Sequence, residues 1–208
     1  MFRRSPALPL AAAYAALAVL VAAGAFTGLD QWAVDHLMPG GHGAGPPPTL
    51  VEAAVPLYHA SWHGWLNGIA DLVTLPAQAL VGSLLAAGCL LVLLRRGRRA
   101  AAFAWGAAWI AGNAVEVLCK SVLARPLLHR DGLALTAFSS SFPSGHTLRA
   151  VLLASLAAAV WPAASRWVAA WAAATLVLLE VDGIHVPTDI AGGLLLAGLL
   201  VSLVRRAR

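Results

Sequence analysis

Of 208 residues, 60% are hydrophobic and 11% are charged, and mean hydropathy is +0.79. Soluble domains carry about 25% charged residues, so this composition excludes an ordinary soluble fold and a disordered chain. It also excludes a nucleic-acid binder, despite a net charge of +5 and a pI of about 10.2. An integral membrane protein remains.

Residues 6–28 form an uncharged apolar run, long enough to cross a hydrocarbon core of about 30 Å as a helix. Arg3 and Arg4 precede it, which leaves a cleaved signal peptide as the alternative, although the run exceeds the usual signal core. Segment 29–68 differs in kind. It holds Asp30, Asp35, Glu52, four histidines (His36, His42, His59 and His63), Gly40-Gly41 and the Pro46–Pro48 run, and reads as an aqueous outer loop. Its ends, 29–37 and 49–57, suit short interfacial helices. The four histidines lack a metal-ligand spacing and read as surface or headgroup contacts.

Further helices are predicted over 69–94, 100–120, 144–165, 167–184 and 188–204. Their Ala/Leu-rich runs are continuous rather than alternating, so strands are not expected. Cys89 and Cys119 lie inside apolar runs and are too few for a disulfide framework. The fold expected is all-α: one membrane-embedded domain, 1–208, built as a six-helix bundle.

Basic residues close to span ends mark the cytoplasmic side. Arg3, Arg4, Arg95, Arg96, Arg98, Arg99, Arg166, Arg205, Arg206 and Arg208 are ten of the fourteen Lys and Arg residues. In a six-helix arrangement all ten share one side with both termini. Lys120, Arg125, Arg130 and Arg149 fall on the outer side, with all seven histidines. Outer cations need another reason to be there, and an anion is the simplest.

Three outer pieces cluster at helix ends: Lys120 to Arg125-Pro126, then Pro143-Ser144-Gly145-His146, then His185 to Asp189. Each has a plain alternative. Lys120 and Arg125 suit interfacial anchors, Ser144 suits a simple helix N-cap, and His185 with Asp189 suits a polar loop. Jointly they describe one chemistry. Ser144 and Gly145 at a helix start would offer backbone N–H groups and a positive dipole end to an anion. Lys120 and Arg125 would add charges of the kind that binds phosphate. Asp189, four residues after His185, would hold one imidazole nitrogen and leave the other as a nucleophile.

These motifs resemble the type 2 phosphatidic acid phosphatase superfamily, the lipid phosphate phosphatases, which share their site with vanadium haloperoxidases. The family pattern runs Lys-x6-Arg-Pro, Pro-Ser-Gly-His, then Ser-Arg-x5-His-x3-Asp. Pro143 to His146 match fully, and His185 with Asp189 match the last part. Gly183, the run from Pro187 to Gly193, the outer loop opening Leu29-Asp30-Gln31-Trp32 and the six-helix layout also resemble the family.

The resemblance implies that His185 attacks phosphorus to form a phosphohistidine, that Asp189 orients it, and that His146 protonates the leaving oxygen and later activates water. It implies that Lys120, Ser144, Gly145 and an arginine stabilise the phosphoryl group, and that no metal or other cofactor is needed. Two family arginines are absent: Leu127 and Leu128 stand at the first Arg-Pro position, Leu178 and Leu179 at the Ser-Arg position. Arg125 fits the first half of an Arg-Pro-Arg-Pro variant. Arg149, three residues after His146, shares its helix face. Arg125 and Arg149 are therefore the expected replacements, and Arg130 a loop charge. Glu116, four before Lys120, is placed to pair with it and, with Asn113, to form a polar stripe below the site. Glu180 and Asp182 are placed to hold Arg125 or Arg149, or to contact a headgroup.

The expected function is a cell-membrane phosphatase with an extracytoplasmic site, acting on a polyprenyl diphosphate, phosphatidate or phosphatidylglycerol phosphate. Its partners would be that lipid phosphate and membrane lipids, with no nucleic acid. A non-catalytic phospholipid-binding member is the alternative, on the strength of Leu127 and Leu179. A small channel or transporter lacks polar residues along several helices. The oligomeric state is not legible.

Overall fold

Runs of Ala, Leu and Val with few interior breakers propagate helix, and the computed structural model describes residues 6–38, 64–181 and 183–206 as eight helices and one short hairpin. The helices are α1 (Ala7–Ala22), α2 (Thr27–His36), α3 (Gly64–Thr74), α4 (Ala79–Arg95), α5 (Arg99–Val122), α6 (Gly145–Val160), α7 (Ser165–Val181) and α8 (Pro187–Arg206). Strands β1 (Leu128–Arg130) and β2 (Leu133–Leu135) pair antiparallel between α5 and α6.

Each predicted apolar run is helical, but two are broken. The first ends at Gly24, whose φ of 76° closes α1 with bonds from Gly24 N–H to Val21 O and from Ala25 N–H to Leu20 O. This pair of bonds is the glycine-terminated helix end that satisfies the last carbonyls. The chain then turns by 77° into α2. The second run breaks at the one-turn helix Leu75–Ala77, where Pro76 lacks an N–H, and bends by 55°.

The protein is a membrane protein. Among the described residues, three helices are long and apolar enough to cross a bilayer (Arg99–Val122, Pro162–Glu180, Pro187–Arg206), or five if each bent pair is one span. Length and composition therefore support three to five spans rather than the six expected. The remaining element, α6, is a 16-residue apolar helix, about 24 Å long.

That short helix is the centre of the bundle. It packs against α4, α5, α7 and α8 and is buried at eleven of its 16 positions. Leu148, Leu152 and Leu156 join Leu93, Trp105, Trp109, Leu196 and Leu200 in one core. Its C-terminal carbonyls are taken by the α4–α5 turn: Arg96 Nη1 donates to Val160 O at 2.5 Å and Arg98 Nη1 to Ala159 O at 2.8 Å. Arginines thus gather at the end of α6 opposite His146.

At the other end lies a cap the apolar periodicity does not predict. The β1–β2 hairpin turns at Asp131-Gly132, both at positive φ, as a two-residue hairpin turn requires. Gln31 of α2 locks onto it, donating to His129 O at 2.6 Å and accepting from His129 N–H at 2.9 Å. Val34, Met38, Leu128, Leu135, Phe138 and Val186 form a small separate core there. Arg130, expected as a loop charge, lies in β1 and donates to Met38 O at 3.0 Å. The first expected interfacial helix is α2. The second, 49–57, and His42, His59 and His63 lie outside the described residues.

Candidate active site

Three chain ends meet beneath this cap. Ser144 is the N-cap of α6, its Oγ accepting from Thr147 N–H at 3.2 Å, which leaves His146 in the first turn. Ser144 N–H donates to Asp189 O at 2.9 Å, tying the start of α6 to the first turn of α8. That corrects one expectation, because this N–H is not free for an anion. Close approach of the two helices depends on Gly193: a Cβ there would lie 2.6 Å from Ser144 O.

The second histidine is delivered by the end of α7. Gly183, at φ 69°, closes that helix with bonds from Gly183 N–H to Glu180 O and from Ile184 N–H to Leu179 O. Leu179 O also accepts His185 N–H at 3.1 Å. Leu179 itself is fully buried; where the family pattern has an arginine, this chain has a packing residue whose carbonyl anchors the next loop. Pro187 then starts α8, a position that suits proline, and sets Asp189 in its first turn.

The outcome is a line of three groups. His146 Nδ1 lies 3.4 Å from His185 Nε2, with the rings edge to face and 5.5 Å between centroids. His185 Nδ1 lies 3.4 Å from Asp189 Oδ2. All three side chains are buried. Burial pushes the His185 imidazole below the usual histidine range, opposed by the hydrogen bond and charge of Asp189. Two nitrogens this close leave no room for another atom between them.

Behind Asp189 sits a buried ion network. Arg125 Nη1 donates to Asp189 Oδ1 at 3.1 Å and to Thr188 Oγ1 at 3.3 Å, while its Nη2 donates to Asp30 Oδ2. Asp30 also accepts Thr188 N–H at 3.2 Å and Thr188 Oγ1–H at 2.8 Å. It thereby caps the N-terminus of α8 from a helix 158 residues earlier. Asp30 and Asp189 are both fully buried.

A second network lies on the other side. Glu116 of α5 accepts from Lys120 Nζ at 2.7 Å and from Arg149 Nη1 at 2.6 Å. Arg149 also donates to Asn113 Oδ1 at 3.1 Å and, through Nε, to Ala77 O at 2.8 Å. The Glu116 carboxylate lies against Gly145, where any Cβ would overlap it. Lys120 is the one cation of the two networks with substantial exposure, its side chain 33% accessible.

A family model for the PAP2 superfamily matches residues 101–208, just over half the chain. The chain belongs to the PAP2 superfamily. Its members are generally phosphatases acting on phosphate esters, often of lipids. No curated protein and no solved structure matches the chain. The matched segment contains His146, His185, Asp189, Lys120, Arg125, Ser144, Gly145 and Arg149; Asp30 lies outside it.

The structure therefore brings the two histidines and Asp189 of this PAP2 protein together and sets Lys120, Ser144 and Gly145 around them. Arg125 and Arg149 are close by, yet each guanidinium faces carboxylates. Glu180 bonds neither of them among the described residues, its Oε1 being buried without a hydrogen-bond partner; Asp182 lies outside the described residues. Asp30 was not a site candidate from sequence. The signal available was the stripe Asp30, Ala33, Val34, an i, i+3, i+4 pattern that buries the acid with two apolar residues. Among the described residues no group of three or more His, Cys, Asp or Glu converges as a metal site would need.

Proposed function

We propose that this PAP2 protein is a metal-independent lipid phosphatase that cleaves a phosphomonoester or diphosphate of a lipid at the extracytoplasmic face of the cell membrane. The observation that carries the reading is the contact of His146 Nδ1 with His185 Nε2, with Asp189 on the far nitrogen of His185.

In this mechanism the neutral His185 attacks phosphorus through Nε2, while its Nδ1–H stays on Asp189 and is held there by charge. The bond from the attacked phosphorus to the lipid ester oxygen of a monophosphate, or to the bridging oxygen of a diphosphate, breaks, and His146 gives that oxygen a proton. Water then attacks the phosphohistidine, His146 takes the water's proton, and inorganic phosphate leaves. Lys120 and the N–H groups opening α6 offset the negative charge on the phosphoryl oxygens, the electrostatic assistance that is usually largest. Arg125 acts through Asp189 rather than on phosphate, and Arg149 reaches the site through Glu116.

The location is supported by the charge arrangement. Arg96 and Arg98 cap the end of α6 remote from His146, and clustered arginines favour the cytoplasm. Six crossings with both termini inside follow if the bent pairs and α6 each span.

A second reading, phospholipid binding without hydrolysis, is favoured by one observation: Arg125 is ion-paired with Asp30 and Asp189, and Arg149 with Glu116. One experiment separates the two. Detergent-solubilised protein should release phosphate from one or more of a panel of polyprenyl diphosphates, phosphatidate and phosphatidylglycerol phosphate. Vanadate should inhibit this, and His185→Ala should abolish it. Binding of the same lipids with no phosphate release would favour the second reading.

A further inference from the structure

We propose that the protein holds the phosphate group of an anionic phospholipid in a second pocket, at the end of the bundle remote from His146. The inference is independent of the chemistry at the histidines. Helices α6 and α8 both begin at the site, where Ser144 N–H meets Asp189 O, and both run away from it. Where they end, a cavity of about 210 Å³ lies between them and α5, lined by Trp105, Ser155, Ala158, Ala159 and Arg205.

Its charge selects an anion. The α4–α5 turn and the last turn of α8 bring Arg95, Arg96, Arg98, Arg99, Arg205 and Arg206 to this end. No Asp or Glu occurs in 72–115, 132–179 or 190–208, the segments that build it. Among the described residues Arg205 pairs with no carboxylate. Arg98 borders the same pocket, since its Nη1 donates to the carbonyl of the lining residue Ala159 at 2.8 Å. Guanidinium donors match phosphate oxygens in geometry and are strongest on a full negative charge. Ser155 adds a hydroxyl on the α6 wall. A serine within a helix can bond back to the carbonyl one turn earlier, yet among the described residues Ser155 makes no hydrogen bond through its hydroxyl.

The walls indicate where the phosphate comes from. Helices α5 and α8 are each long and apolar enough to cross a bilayer, and Ala158, Ala159 and Arg205 lie in the last turns of α6 and α8. The pocket is therefore open between spanning helices at the depth of lipid head groups. Basic pockets in that position take anionic head groups, and clustered arginines favour the cytoplasmic side, where the leaflet is anionic.

The test uses the full chain in a neutral detergent, with phosphatidylglycerol and phosphatidylcholine as probes and bound lipid counted by native mass spectrometry. Both are phosphodiesters, outside the ester class assigned to the histidines. Wild-type protein should retain one phosphatidylglycerol about tenfold more tightly than phosphatidylcholine. Arg205→Gln, at an exposed position, should remove that preference. Ser155→Leu, which plugs the pocket without changing its charge, should remove it too. Arg206→Gln, the next residue and outside the lining, should leave it intact.

Wild-type protein that does not prefer phosphatidylglycerol would overturn the proposal. Equal losses from Arg205→Gln and Arg206→Gln would assign binding to diffuse surface charge and overturn the pocket. An unchanged preference in Ser155→Leu would do the same. Displacement by inorganic phosphate at the concentration of the lipid would reveal a free-anion site and overturn the lipid assignment. None of these outcomes touches phosphate release by His185, so the two readings fail separately.

Discussion

Two ion networks flank the paired histidines, and they are built differently. Glu116 and Lys120 are neighbours at i, i+4 on one helix, joined by Arg149 one helix away. Asp30, Arg125 and Asp189 come from three separate parts of the chain, with Asp30 and Arg125 95 residues apart. The first places two cations on one carboxylate and keeps Lys120 partly exposed, so it retains positive charge where a phosphate would arrive. The second places two fully buried carboxylates on one guanidinium and so holds negative charge behind His185. In the proposed mechanism one network meets the anion and the other holds the His185 imidazole in its reactive tautomer.

The largest effect expected from breaking this contrast comes from Arg125→Ala, which strands two buried carboxylates. Thermal unfolding in detergent should show a loss of about 3–5 kcal/mol, with phosphate release lost as well. Arg125→Lys restores the charge but not both bonds, so it should regain most of the stability while kcat stays depressed. Full activity in Arg125→Ala would remove the positioning role given to this network.

Asp30→Asn should cost less, about 1–3 kcal/mol, because oxygen and shape remain for Thr188. Its kinetic mark should be a lower kcat with little change in KM, since Asp30 acts through Arg125 and Asp189. A raised KM with unchanged kcat would place Asp30 at the substrate instead.

On the other side, Glu116→Gln removes the counter-charge of Lys120 and Arg149. Stability should fall by about 1–2 kcal/mol. Vanadate should bind more tightly, by up to about tenfold, a change worth about 1.4 kcal/mol. Weaker vanadate binding would mean that Glu116 chiefly aims Lys120 rather than offsetting it.

The smallest signal is the pH dependence. In the proposed mechanism His185 attacks as the neutral imidazole, and burial lowers its pKa below 6.5, so the reactive form persists as pH falls through the usual histidine range. The acid limb of kcat/KM should therefore break below pH 6.5. A break above that value would show that the charge of Asp189 outweighs burial.

How much of this was legible in the sequence varies residue by residue. Helix positions followed from uninterrupted apolar runs, because propensity and burial act locally, and the Glu116–Lys120 pair followed from helix spacing. The breaks at Gly24 and Pro76 were less legible: glycine and proline permit a turn, but packing decides whether one is taken. The β1–β2 hairpin escaped because three-residue strands carry too little alternation to read. Arg125 and Arg149 lie near the paired histidines, but no local spacing encodes their pairing with Asp30, Asp189 and Glu116.

The sequence by itself determined membrane residence, the helical runs and the order in which the lysine, the two histidines and the aspartate appear. Those properties depend on composition and on spacings of a few residues. Only the tertiary structure decided which carboxylate meets which guanidinium. Asp30 reaches Thr188 across 158 residues, after a 77° turn at the end of α1, and no local pattern encodes that meeting. Buried charge demands a partner, but the fold selects it.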